Sequence, residues 1–185
     1  MPVTQDIVRT YRGPRRVVRD LLAMGQREDR AIAWVMFGCF IFFLARLPAL
    51  QRDAVLGGAD FQRDAIYTFF ALMMIMPLVF YGIAFVGFLI ARAMGKAATP
   101  YGARVAIFWG WLASAPLALL YGLLAGFNGT DHPGTILIGI VWVVVLIWFW
   151  GSGLFEASRV SHGPFAPKAP KSVVNALYIN GFLYE

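Results

Sequence analysis

Residues 102–126 read GARVAIFWGWLASAPLALLYGLLAG, and every fourth side chain is small: Gly102, Ala106, Gly110, Ser114, Ala118, Gly122 and Gly126. Phe108, Trp109, Trp111, Leu112, Leu117, Leu120 and Tyr121 fill the intervals. The stretch exceeds the roughly 20 apolar residues that cross a bilayer as a helix. Small residues four apart let backbones approach closely, which drives helix association where lipid removes the hydrophobic incentive. Four residues turn a helix by about 400°, so the stripe drifts by about 40° at each step. It cannot serve a single neighbour. The pattern predicts a helix packed on several sides, at the centre of a small bundle.

The rest of the composition agrees with a membrane setting. The 185 residues are 59% hydrophobic and 14% charged, against roughly 45–50% and 25% in soluble domains. The formal charge is +6, but the basic residues flank apolar runs, as in membrane proteins that obey the positive-inside rule. No aromatic or base-reading pattern accompanies the arginines, so nucleic acid is not an expected partner. The first thirty residues are too polar for a cleavable leader, so the first span is expected to act as its own insertion signal.

Residues 1–30 form an arginine-rich lead-in. Thr4 suits a helix cap, and Gly13-Pro14 marks a break and restart. Beyond it, Val17, Val18, Leu21 and Leu22 share one side, while Arg15, Arg16 and Arg19, with Arg12 just before, occupy the other. Two uses fit this amphipathic helix: lying on an anionic leaflet, or docking on the protein's own loops. Four spans follow, at about 31–50, 65–91, 103–127 and 135–155, within a transmembrane domain covering 31–155. Residues 46–64, with Arg52, Asp53, Asp60, Arg63 and Asp64, suggest a mixed-charge loop, and Pro77 predicts tilt or a kink in the second span. Pro116 should free a carbonyl near Leu112, with Ser114 placed to help satisfy it. Trp148 and Trp150 suit a belt at headgroup level. Residues 156–185 are expected to be a cytoplasmic tail, with a proline-rich linker over 163–170 and an apolar 172–184 that suits contact with the bundle or with a partner chain.

Four spans put the termini on one side. Lys and Arg number seven in residues 1–30, three in the 92–104 loop and three in the tail, against three and none in the other two loops. That bias predicts cytoplasmic termini.

Chemistry is scarce. The span interiors contain no Asp, Glu, His, Lys or Arg, the groups by which membrane enzymes and coupled transporters display their function. Tyr67, Thr68, Tyr81, Ser114 and Tyr121 are the polar candidates, each better suited to interhelical hydrogen bonding or interfacial anchoring than to catalysis. His132 and His162 lie outside the spans, so neither a metal site nor a bis-histidine haem can be assembled at depth. Cys39 is single and sits in an apolar run, which suits a packing role. No cofactor is expected.

The basic lead-in with Tyr11-Arg-Gly-Pro14 and Val17-Val-Arg-Asp-Leu-Leu22, the closely spaced Gly-, Ala- and Pro-rich spans, and Tyr101-Gly-Ala-Arg104 before the third span together resemble bacterial members of the Yip1-domain family over residues 5–158. The resemblance implies a non-enzymatic integral membrane protein. Eukaryotic relatives act in vesicle trafficking with small GTPases. Family members are often described with five spans, and four is a departure. The expected protein is therefore an all-α membrane protein, a bundle of four transmembrane helices with a basic amphipathic N-terminal helix and a proline-linked C-terminal tail. It would sit in a bacterial inner membrane, meet anionic lipids, and bind or organise other membrane proteins. A small transporter or channel for a neutral or lipidic substrate is the alternative.

Overall fold

The computed structural model describes residues 3–96 and 98–160, and every regular element among them is helical. Two short helices, α1 (Val3–Arg12) and α2 (Pro14–Ala23), precede the long ones. Gly13 separates them, and Pro14 opens α2 because its missing N–H costs nothing in a first turn. Thr4 lies within α1 and does not cap it.

Four helical stretches are long and apolar enough to cross a membrane: Glu28–Gly57, Phe61–Ala93, Pro100–Asn128 and Pro133–Arg159. The first is α3 (Glu28–Gly57). The second consists of α4 (Phe61–Phe70), a π-helical turn (Ala71–Ile75) and α5 (Met76–Ala93). The third and fourth are α6 (Pro100–Asn128) and α7 (Pro133–Val160). This is a multi-pass helical membrane architecture.

Several boundaries differ from the sequence expectation. The presumed loop over 46–64 is helical except at residues 58–60. Helix α3 runs on through Pro48 until Gly58, whose φ of 68° closes the helix with a bond from its amide to the Asp53 carbonyl. The mixed charges thus belong to helix ends. The three-residue turn then restarts the chain at Asp60, whose carboxylate accepts from the Arg63 amide at 3.1 Å. The π-helical turn lies immediately before Pro77, and such a wide turn is one way a helix accommodates an amide that cannot donate. Helix α7 continues past 155, and Glu156, Ala157 and Ser158 are buried. The 172–184 segment and His162 lie outside the described residues.

Helix α6 is central. In its most apolar stretch 61% of residues are buried, against 39% in Glu28–Gly57 and 11% in each of the other two. Thr99 caps it by accepting from the Gly102 amide at 3.0 Å, with Pro100 next. It runs parallel to α3: Arg104 pairs with Glu28 near their starts, and Gly126 meets Pro48 near their ends. It runs antiparallel to α7, with Gly102 against Ala157. Two apolar clusters flank it. One gathers Val35, Cys39, Phe42, Phe80, Ala84, Phe108 and Trp111; there the Trp111 indole stacks on Phe42 with centroids 3.6 Å apart. The other gathers Val17, Val18 and Leu21 with Trp34, Val105, Trp109 and Phe149.

Candidate functional site

The small-residue stripe divides between two neighbours as the 40° drift requires. Its first half faces α7. A Cβ on Gly102 would lie 2.9 Å from that of Ala157, and one on Gly110 would lie 3.4 Å from the Trp150 amide nitrogen. Ala106 is fully buried beneath Gly153. Ser114 accepts from the Trp142 indole at 3.3 Å. Ala118 lies in the cluster with Phe42 and Phe80. The last two residues face α3: a Cβ on Gly122 would sit 1.8 Å from the Ala45 carbonyl oxygen, and one on Gly126 would sit 2.5 Å from Pro48 Cβ. Only hydrogen fits at either place.

Sequence reading missed the matching hollows on the other helices. Gly38 admits the edge of Trp111, Gly87 admits Trp150, and Gly139 admits the Tyr121 ring. The available signal was glycine within three spans, alone in the first and beside Gly82 or Gly151 and Gly153 in the others, each of the three hollows needing a large ring opposite. That partnership is invisible without the fold.

Ser114 does not serve the carbonyl freed by Pro116. Its hydroxyl donates to the Trp111 carbonyl at 2.9 Å, one residue ahead of Leu112. That bond uses its one donor proton, and the Trp142 indole occupies one of its lone pairs. The tyrosine candidates make ring contacts or are exposed. Tyr81 packs edge-on against Phe108 with centroids 5.1 Å apart, Tyr121 covers Gly139, and Tyr67 is well exposed. His132 accepts from the Gly134 amide at 3.1 Å in the turn before α7. No group of three potential metal ligands occurs among the described residues.

In the arginine-rich region the apolar face of α2 follows the second of the two expected uses, docking on the protein, although against helices and not loops. Val17, Val18 and Leu21 are buried against α6 and α7, so the apolar face of α2 is docked on the protein. Beneath α1, the Trp109 indole donates to Thr10 Oγ1 at 3.0 Å, and that hydroxyl donates to the Asp6 carbonyl at 2.7 Å. Burial pushes the pKa of the neighbouring Tyr11 phenol above its ordinary 10.0. The four arginines do not act alike. Arg19 grips the buried Glu156 carboxylate through Nε at 2.7 Å and a terminal nitrogen at 2.6 Å. Arg15 lies 4.9 Å from the Phe155 ring centre. Arg12 and Arg16 remain exposed and, with Arg9, line a shallow hollow of about 210 Å³. Trp150, expected in an exposed belt, is partly buried against α5; Trp148 stays exposed.

These features define a multi-pass helical membrane protein. No family model, no curated protein and no solved structure matches the chain.

Proposed function

We propose that this chain is a non-enzymatic integral membrane protein that binds or organises other membrane proteins, as an accessory subunit or assembly factor. One observation carries the reading. Apart from Arg46, exposed on α3, the span interiors contain no Asp, Glu, His, Lys or Arg, and Ser114, buried on α6, is hydrogen-bonded on both sides. What remains available is surface: the α4–α5 stretch and α7 leave large side chains such as Phe70, Met74, Leu78, Phe85 and Val144 uncovered. Arg12 and Arg16 are suited to the anionic lipids of a cytoplasmic leaflet, with the N-terminus on that side of a bacterial inner membrane. The 172–184 segment would add an apolar contact for a partner. The resemblance to Yip1-domain proteins implies the same non-catalytic role.

The test is in-cell photo-crosslinking from Phe70 and Phe85, followed by purification in mild detergent. A discrete adduct with another membrane protein or a second copy is expected. Monomer decorated only by lipid at both positions would contradict the proposal.

The alternative, a small transporter or channel for a neutral or lipidic substrate, draws on the π-helical turn beside Pro77, since such turns are frequent at functional sites. Flux in reconstituted liposomes above that of empty ones, altered by Pro116→Ala, would favour it.

A further inference from the structure

Phe155 sits near the end of α7 with three cations around its ring. The Lys96 ammonium is 4.3 Å from the ring centre, Arg159 is 4.7 Å and Arg15 is 4.9 Å. They come from three separate elements: the turn after α5, the end of α7, and the start of α2. Sharing one ring, they lie within roughly one Debye length, ~10 Å, of each other, where like charges still repel. Arg9, Arg19, Arg27, Arg63 and Arg104 each meet a carboxylate, while none of these three is paired with one among the described residues. The nearest acid in sequence, Glu156, is taken by Arg19. A single ring offers each cation only a weak attraction when solvent is close. Among the described residues the cluster therefore has no carboxylate paired with it.

We infer that Lys96, Arg159 and Arg15 form a binding site for the phosphate of an anionic phospholipid. Two features select a lipid over a free anion. The cluster lies where α5 ends and α7 finishes, at the rim of the apolar stretches. Just before Lys96 in the chain, the side chains of Met94, which caps α5, and of Ile90 and Leu89 in its last turns are uncovered and apolar, a track for acyl chains beneath a headgroup held by the cations. Basic pockets between helix ends bind anionic headgroups in this way. The inference rests on the reading that this end of the protein meets an anionic leaflet, and it moves the contact from the exposed Arg12 and Arg16 to a different trio.

The full chain, stripped of lipid in a non-ionic detergent, is titrated with phosphatidylglycerol and with phosphatidylcholine, and bound lipid is counted by native mass spectrometry. One phosphatidylglycerol should bind in preference to phosphatidylcholine. Each cation removed should weaken it about fivefold, so Arg15→Gln/Lys96→Gln/Arg159→Gln should lose about 100-fold. Arg63→Gln, beside the turn at 58–60 at the opposite end of the molecule, should leave it unchanged. Should the triple variant not fold, Lys96→Gln alone carries the test, with Lys96→Arg expected to retain binding. Full binding by the folded triple variant or by Lys96→Gln overturns the site. A loss confined to Arg12→Gln/Arg16→Gln overturns it too, and leaves the general leaflet reading standing. Competition by millimolar inorganic phosphate as effective as lipid would make it a free-anion site and overturn the lipid assignment.

Discussion

Gly122 is the least replaceable position in the structure. A methyl group there would overlap a backbone carbonyl, with 1.8 Å to the Ala45 oxygen and 2.7 Å to its carbon. Backbone cannot step aside as a flexible side chain can, so α3 and α6 would have to separate. Overpacking of this kind costs about 3 kcal/mol or more. Gly122→Ala should therefore lower the thermal midpoint in detergent sharply. Gly82→Ala, where nothing lies within 4 Å of the added carbon, should be neutral or more stable by up to about 1 kcal/mol. Gly110→Ala should fall between them, because its nearest contact would be 3.4 Å. Equal midpoints for Gly122→Ala and Gly82→Ala would show that α3 and α6 do not meet as described. The spacing of small residues was legible in the sequence, and so was the drift of the stripe. Which glycine meets backbone and which meets a yielding side chain was not, because that depends on the neighbour's register.

At the scale of elements, α1 and α2 form a clasp across the ends of α6 and α7. Three kinds of interaction hold it: Val17, Val18 and Leu21 in the core, the Thr10–Trp109 hydrogen bond, and the Arg19–Glu156 pair. The amphipathic pattern of α2 could be read from residue types, but its destination could not. A helix suited to a membrane surface is equally suited to a protein surface. The decisive partner, Glu156, is 137 residues away in sequence, in a region whose polarity suggested a tail. Removing Arg19 leaves that carboxylate buried, with its side chain 3% exposed, and without its cation. Arg19 itself is about half exposed, so the loss is expected to be modest, about 1–2 kcal/mol, and not the 3–5 of a fully buried pair. Arg19→Gln should raise amide hydrogen exchange across residues 14–23 while leaving α6 protected. Thr10→Val, which strands the Trp109 indole, should do the same over α1 by about 1–3 kcal/mol. Thr10→Ser should not. Unchanged exchange in both Arg19→Gln and Thr10→Val would mean that apolar burial alone holds the clasp.

At the scale of the whole molecule, the packing sorts the connections between helices onto two ends. Arg27 and Tyr101 share a 3.1 Å hydrogen bond and Gly102 meets Ala157, which gathers the clasp, the turn after α5 and the end of α7 at one end. Arg52 donates to the Phe127 carbonyl at 2.9 Å at the other, beside the turns at 58–60 and 129–132. The seven arginines of residues 1–30 and the three basic residues of the 92–104 loop all fall at the first end. Charge and packing thus agree about which segments share a side, although only charge speaks to which side is cytoplasmic. Cys39 is the sole cysteine and is fully buried, so a Cys39→Ala background gives a clean reporter. In sealed spheroplasts, Ala59→Cys and Asp131→Cys should react with a membrane-impermeant maleimide, and Gln26→Cys should react only after permeabilisation. Labelling of Gln26→Cys alone in intact spheroplasts would invert the orientation but keep four spans. Labelling that separates position 59 from position 131 would break the four-span arrangement itself, because an even number of crossings must join two turns on the same side.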